Sequence, residues 1–509
     1  MSTQAVYTAA QSRSLDVAAA KSLNLSGFAL MQRAGAAALA VLEENFSTFS
    51  EICVLCGKGN NGGDGYILAA LAQKQGLSTQ VFELADITTI AGDARKARDL
   101  AVKEGVVCVS SADLLTISQD VVIVDAILGT GFKGELSAET LRVLNLVCAS
   151  QAHVLAMDIP TGINADTGGA CAGALFADLT VTFIGLKRGL VTGAGKKHCG
   201  TLVLRDLGVS TKLSAGASSA ALFEFDQTQL PVRRADGHKG SFGNLVIVGG
   251  DINMGGAVIL AAQSALRAGC GLVTVVTRGE HRCGMQAHRP EVMLCAASDH
   301  KAVTTAINKA DCVLVGPGMG TQAWGQELLQ QCLAFRGPKV LDADALNLVS
   351  SGASSRLENC VITPHPGEAG RLLGLSTAQI QADRFVAVAQ LADQYGAVVV
   401  LKGPGTLVCG QEVCGQEVCE QEVCRQEAFQ NVVGICQHGN AGMATAGMGD
   451  VLAGILASFV AQGVTLEAAA RLGVALHSAS ADIAVQHTGE RSLLASDVIE
   501  AMISLLAGA

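Results

Sequence analysis

The sequence predicts an α/β protein with mostly parallel sheets, divided into two catalytic domains, and three observations carry that expectation. Short runs rich in Val, Ile and Leu alternate with longer Ala-rich segments of helical character, the pattern of repeated strand–helix units. Gly or Asp stands at most of the junctions, and in open parallel sheets the carboxyl ends of strands are where ligands bind. The chain has 509 residues, more than one core usually serves at roughly 100–200 residues per domain.

In the first half the strand candidates are residues 51–56, 120–126, 153–158 and 178–184. In the second half they are 244–249, 271–277, 311–316, 338–342 and 396–401. Between the two sets, "VSTKLSAGASSAALFEFD" is small and polar, which places a linker at 213–225 between domains 1–212 and 226–509.

Composition narrows the class of function. A net charge of -10, three Tyr and one Trp lack the basic footprint and stacking platforms of a nucleic-acid binder. The apolar runs are interrupted by Gly, Pro or charge before reaching about 18 residues, so no membrane span is expected. The N-terminal stretch lacks a basic start, an apolar core and a cleavage site, and cysteines sit in apolar runs such as "EICVLC" and "DCVLVG". A cytoplasmic enzyme acting on small molecules is expected.

The first chemical signal is "LCGKGNNGGDG", Leu55–Gly65, between a strand and a helix. Its glycines permit positive φ and close backbone approach, so successive amides could surround phosphate oxygens at a helix start. A Walker loop is excluded because no Lys-Ser/Thr pair follows in place, and the dinucleotide spacing is absent. Asn60, Asn61 and Asp64 add oxygens that a plain turn does not require. Asp125 in "VDAILGTGFKGE", and Asp158 and Thr161 in "MDIPTGINADTG", fall at neighbouring strand tips. Carboxylates there converge on one crevice, where one can hold a cation and another can move protons.

These four stretches, "GKGNNGGDG", "VDAILGTGFKGE", "MDIPTGINADTG" and "DLTVTFIGLKRGL", closely resemble the NAD(P)H-hydrate epimerase family over nearly all of residues 1–210. The resemblance implies a Rossmann-like three-layer domain that interconverts the R and S hydrates of NADH or NADPH. Carried over, Asn60, Asn61, Gly62, Gly63 and Asp64 would hold the hydrated nucleotide. So would Gly129, Thr130, Gly131, Phe132, Lys133, Gly134 and Glu135, with Asp158 contacting it. Asn61, Asp125 and Thr161 would bind a potassium ion. Inverting a carbon that bears both nitrogen and hydroxyl needs ring opening or loss and return of water, hence a proton shuttle, and Asp158 is the expected one.

In the second half, "NLVIVGGDINMGGAVILAAQSALRAG" runs from a strand through glycines into a helix, so Gly255 and Gly256 put amides at a helix start. Asp342 and Asp344 fall at a strand tip in "DADALNLV", and His365 and Glu368 fall where a strand gives way to a helix in "ITPHPGEAGRLLG". Standing alone, His365 reads equally as a helix cap. "HGNAGMATAGMGDVLAGILASFV" places Gly447, Gly449 and Asp450 at the start of an apolar helix. Phosphoryl transfer needs amides for developing charge and a carboxylate near the acceptor hydroxyl, and this unit supplies both. Lys402, closing a strand in "VVVLKGPGTLV", is a reasonable nucleotide contact.

The second half resembles the ribokinase-like fold and, within it, the ADP- or ATP-dependent NAD(P)H-hydrate dehydratases, through "GHKGSFGNLVIVGG", "GPGMG", "LDADALN", "TPHPGE", "LKGPGT" and "GMATAGMGDVLAG" in order. The resemblance implies that Ala257, Gly318, His365 and Asp450 touch the hydrate. Lys402, Gly403, Pro404, Gly405, Thr406 and Gly449 would hold the nucleotide, with Asp450 as base. With the two halves in this order, the resemblance implies ADP with magnesium as phosphoryl donor and NADHX and NADPHX as substrates, and since both component families commonly form oligomers a homo-oligomer is expected. The alternatives are a ribokinase-like small-molecule kinase that stops at the phosphate ester, fused to a nucleotide-binding module, and a non-enzymatic RNA-decay scaffold.

Two features depart from the family pattern. His438-Gly439-Asn440-Ala441-Gly442 lacks the usual proline, which should raise the ordering cost of that loop by roughly 0.4–1 kcal/mol. Cys409, Cys414, Cys419 and Cys424 open copies of a five-residue phrase, a spacing that gathers thiolates neither on a helix nor on a strand. It reads as a tandem duplication lengthening a surface hairpin, since loop closure grows only slowly with length.

Overall fold

A computed structural model of the chain describes residues 4–110, 120–209, 220–410 and 433–507. Contacts divide it into two compact units, one of Ala5–Ala220 and one formed chiefly by Ala221–Ala509.

The strands of the first unit are β1 Gln4–Tyr7, β2 Glu51–Cys56, β3 Thr79–Glu83, β4 Val107–Val109, β5 Val121–Ala126, β6 His153–Met157, β7 Leu179–Phe183, β8 Leu186–Lys187 and β9 Thr201–Arg205. Seven of them form a sheet in the order β4-β3-β2-β5-β6-β7-β9, and each of its neighbouring pairs is parallel. Chain order reverses between β2 and β5, so the loops leaving those strands flank a topological switch point. Successive residues of β2 serve opposite layers. Ile52, Val54 and Cys56 join the core under helices Gly27–Asn45, Asn60–Lys74 and Gly92–Lys103. Cys53 and Leu55 join the core under helix Ala138–Ser150. The period of two thus produces the three-layer architecture. Thr8, Ser26 and Ser137 begin their helices by accepting from backbone amides in the first turn. Beside the sheet, β1 pairs with β8 in parallel, Tyr7 opposite Lys187.

The second unit carries β10 Ala220–Phe223, β11 Asn244–Val248, β12 Leu272–Thr277, β13 Met293–Ala296, β14 Cys312–Val315, β15 Lys339–Leu341, β16 Cys360–Ile362, β17 Val398–Leu401, β18 Leu407–Cys409 and β19 Val433–Cys436. The order is β13-β12-β11-β14-β15-β16-β17-β18-β19-β10, parallel from β13 to β17, with β18 antiparallel to both β17 and β19. The switch point lies between β11 and β14. Helices Gly255–Arg267, Met448–Ala461 and Leu466–Thr488 share one core with Leu245, Ile247, Cys312 and Leu314.

Every strand candidate named above coincides with a strand to within one or two residues at each end. Ala220–Phe223, placed by the sequence inside the linker, forms β10, and residues 213–219 lie outside the described residues. Cys414, Cys419 and Cys424 also lie outside them. Cys409 is buried in β18 opposite Val433, so the segment from 410 to 432 joins two antiparallel neighbours. Among the described residues, no single helix is long and apolar enough to cross a membrane.

Candidate active sites

The first unit holds a cleft of ≈ 1180 Å³ at its switch point, lined from the loops after β2, β5 and β6. Helix Asn60–Lys74 begins at Gly59 without a side-chain cap, so its first amides remain free for an anion. The glycines before and within its first turns serve close approach only. None of Gly57, Gly59, Gly62, Gly63 and Gly65 has positive φ, contrary to the sequence expectation. A Cβ on Gly57 would stand 2.0 Å from the Ile127 carbonyl oxygen, and one on Gly62 would stand 2.0 Å from that of Gly57. The turn is therefore packed backbone on backbone, which drives the loop after β2 against the loop after β5. Gly129 completes the convergence, since a Cβ there would lie 3.3 Å from Asn61 Cβ and 3.6 Å from Asp158 Oδ2.

Asn61, Asp125 and Thr161 are joined by hydrogen bonds. Asp125, fully buried, accepts from the Thr161 hydroxyl at 2.7 Å and the Thr161 amide at 2.7 Å. The Thr161 hydroxyl oxygen accepts from the Leu128 amide, and Asn61 Nδ2 donates to the Leu128 carbonyl at 2.8 Å. Burial pushes the Asp125 carboxyl up to about 6, offset in part by the Thr161 and Ile127 hydrogen bonds. Asn61 Oδ1 is buried without a hydrogen-bond partner, an orphaned acceptor beside a buried carboxylate. Such an all-oxygen set suits a hard monovalent or divalent cation, and a cation would satisfy the orphan.

Asp158 leaves β6 with φ +64, in the left-handed region that a non-glycine residue adopts only under constraint. The constraint is visible. Its amide donates to Val181 at 2.7 Å, and its Oδ1 meets Lys187 Nζ at 2.5 Å and the Thr182 hydroxyl at 3.2 Å. Lys187 is itself buried and also donates to the Thr182 hydroxyl and the Phe183 carbonyl. Of the other carboxyls that line the cleft, Asp64 and Asp16 lie nearest in charge to Asp158. Burial, with Asp158 and Asp16 nearby, holds Asp64 well above the usual carboxylate range. Burial likewise pushes Asp16 up to about 6, with Lys187 opposing and Asp158 reinforcing the shift. Sequence reading named Asp64 and Asp158 but missed Lys187 and Asp16, which reach the site from β8 and from helix Ala9–Ser22.

The second site gathers at the carboxyl ends of β14–β17 and the N-terminus of helix Met448–Ala461. Gly318 (φ +53) lies against Ala257, its hypothetical Cβ being 3.1 Å from Ala257 Cβ. Asp342 follows β15 and is buried; its Oδ1 accepts from Lys402 Nζ at 2.8 Å and from the Thr363 hydroxyl at 2.7 Å. Ala343, next in the chain, is held at φ +48, a second strained strand tip. Lys402 Nζ also faces Glu368 Oε2 at 3.8 Å. Burial alone would lower the lysine, but these carboxylates outweigh it and raise it. Burial raises Glu368 despite that lysine.

Asp450 sits in the first turn of its helix, behind Gly447 at φ +88 and without a side-chain cap. Burial pushes its carboxyl up to about 7; Asp342 and Asp344 reinforce the shift and Lys402 opposes it. A Cβ on Gly449 would lie 3.5 Å from Lys402 Nζ and 3.6 Å from Asp342 Oδ2, so the glycine amides, the lysine and the carboxylate share one corner. His365 does cap its helix: Nδ1 accepts from the Gly367 and Glu368 amides, leaving Nε2 3.4 Å from Glu368 Oε1. Nδ1 therefore carries no proton, and burial lowers the ring's basicity.

Three supporting residues escaped sequence reading. Arg384 is buried and donates to the Leu401 and Lys402 carbonyls, fixing the turn that carries Gly403, Pro404, Gly405 and Thr406. Asp482 accepts from the Gly439 amide at 3.0 Å and Asn440 Nδ2 at 2.9 Å and faces His438 Nδ1 at 3.3 Å, holding the loop that lacks its proline. His477 is buried with Nε2 unpartnered, and burial together with Lys402 lowers it to about 4, so it is neutral. Each acts across more than a dozen residues of sequence, where no local pattern announces the pairing.

Two family models match the chain: YjeF-related protein N-terminus over residues 27–189, and NAD(P)H-hydrate dehydratase over residues 245–504. Among curated proteins, the chain is 42% identical to a bifunctional NAD(P)H-hydrate repair enzyme of Coxiella burnetii, covering 97% of each chain. It is 38% identical to the enzyme of the same name from Escherichia coli, over 95% of this chain and 90% of that one. Among solved structures, a ribokinase-like superfamily protein from Enterococcus faecalis is 27% identical, with TM-score 0.49, over 56% of this chain and 96% of that one.

Proposed function

The chain belongs to the family of bifunctional NAD(P)H-hydrate repair enzymes, and from that premise we propose how each site contributes. The first unit interconverts the R and S hydrates of NADH and NADPH. The second restores the S hydrate to NAD(P)H, taking a phosphoryl group from magnesium-bound ADP and releasing AMP and phosphate. A chiral phosphorylation site accepts one epimer, and the epimerase feeds it the other.

In the dehydratase site Asp450 is the base. Its carboxylate takes the proton of the substrate hydroxyl, whose oxygen attacks the β-phosphorus of ADP as AMP leaves. Loss of the new phosphate, driven by the ring nitrogen's lone pair, and loss of a proton from the adjacent carbon restore the double bond. The observation that carries this role is the carboxyl poised at about 7 in the first turn of a helix whose free amides face the same corner. Lys402 through Thr406 and Gly449 hold the phosphates, and Ala257, Gly318 and His365 hold the hydrate.

In the epimerase site the loop Asn60–Asp64, the segment Gly129–Glu135 and Asp158 hold the substrate, with Asp158 moving the proton. Asn61, Asp125 and Thr161 would hold a potassium ion, whose charge offsets that of the substrate phosphates; the orphaned Asn61 oxygen supports the fit. Potassium, ADP as donor, a homo-oligomer and the cytoplasm belong to the same proposal. Purified chain mixed with S-NADPH hydrate and magnesium ADP should recover the absorbance of the reduced nicotinamide. A stable phosphate ester with no such recovery would instead mean a kinase.

A further inference from the structure

Resting on the reading of Asp158 as a proton shuttle, we propose that Asp16 is a second catalytic residue of the epimerase site, handling the proton on the other side of the reacting carbon. Inversion by loss and return of water needs two such groups. An acid gives its proton to the hydroxyl as the C–O bond breaks and the ring nitrogen's lone pair forms the C=N bond, releasing water. Water then adds from the opposite face, the C=N electron pair returns to nitrogen, and a carboxylate takes the added water's proton. One side chain fixed on one face cannot do both.

The cleft supplies a suitable pair. Asp16 lines it from helix Ala9–Ser22 and Asp158 lines it from the end of β6, so the two carboxyls come from independent elements. Lys187 acts on both, but its contact at 2.5 Å goes to Asp158. Among the described residues, none hydrogen-bonds or ion-pairs the Asp16 carboxyl. The charged groups facing it are Lys187, Asp158, Asp64 and, on its own helix, Arg13. One buried lysine is set against three carboxyls and its close contact goes to Asp158, so burial and mutual repulsion favour a proton on Asp16 or Asp64. An ionised and a protonated carboxyl in one cleft are the two states the reaction needs. Each turnover exchanges their protonation. The reverse reaction, or exchange with water in the cleft, resets it.

The test follows epimerisation from each pure hydrate by chromatography without ADP, in full-length Asp16→Asn, Asp16→Glu and Asp158→Asn. For Asp16→Asn, kcat should fall by about 100-fold or more, in both directions. KM should stay within about threefold, and the pH profile should lose one of its two limbs. Asp16→Glu should restore a measurable part of kcat and the lost limb. Dehydration of the pure S hydrate with ADP should be unchanged, and the retained KM for epimerisation together with the Asp16→Glu rescue establishes that the first unit is folded. Asp158→Asn inactive beside a fully active Asp16→Asn, or a weakened Asp16→Asn with both limbs intact, overturns this inference alone. Full activity in both Asn variants overturns the parent reading as well.

Discussion

Each unit pairs a lysine, buried in the first and half-buried in the second, with an aspartate at a strained strand tip, yet the lysines are spent differently. In the first unit Lys187 binds Asp158, the candidate proton carrier itself. In the second, Lys402 binds Asp342, and the candidate base Asp450 stands outside the pair with its carboxyl pushed up to about 7. The difference shows that a strand-tip carboxylate does not reveal its role by position. The role depends on which carboxyl the site's lysine contacts, because burial then favours a proton on the others.

The comparison breaks most sharply at Lys402. Lys402→Met leaves Asp342 and Glu368 buried without their cation, and stranding a buried charge costs about 3–5 kcal/mol. Thermal unfolding should show that loss. Dehydratase activity should fall with it, and the remaining activity should need higher pH, because the lysine is the group that holds Asp450 down.

A smaller effect is expected at the loop without proline. Asp482→Ala removes acceptors for Gly439, Asn440 and His438, at about 1 kcal/mol per lost hydrogen bond. Dehydratase KM for ADP should rise, while epimerase rates stay the same. Smallest of all is Gly449→Ala. Its added carbon makes ordinary contacts of 3.5 and 3.6 Å, so folding should hold and only the approach of ADP should suffer, as a several-fold rise in KM.

Stability sharpens the same contrast. Asp450 is raised in the folded chain, so folding binds a proton that the unfolded chain releases from the ordinary value of 3.8 upward. Its contribution is full below about 3.8 and is lost as pH climbs to about 7. Asp450→Asn should therefore flatten the decline of stability across that window, read by denaturant unfolding at stepped pH.

Much of this was legible in the sequence because it is local. The Gly-rich turns, Asp125, Asp158 and Asp342 fall at the ends of strands and Asp450 falls at the start of a helix, and punctuation by Gly and Asp marks those points. Thr79–Glu83, interrupted by Gln80 and ending on Glu83, is not among the strand candidates because its apolar run is broken. The lysine partners of the strand-tip aspartates are invisible for a different reason. Lys187 stands 29 positions from Asp158 and Lys402 stands 60 from Asp342, so tertiary pairing alone joins them. Asp16, in an Ala-rich helix with no motif around it, carries no sequence signal and becomes notable only where the cleft wall is known. The glycines of Leu55–Gly65 were singled out correctly but for a reason only partly right: close packing requires them, and positive φ does not.

Asp450, left outside the Lys402–Asp342 pair, must lose its proton to act as base in the proposed reaction. The direct measurement is dehydratase kcat against pH from 5.5 to 9 with saturating ADP and pure S hydrate, beside Asp450→Asn. The rate should rise through a single ionisation near 7 that disappears, together with about 100-fold or more of the rate, in the variant. A rate flat across that range, or an Asp450→Asn enzyme that keeps both its rate and its ionisation, would contradict it.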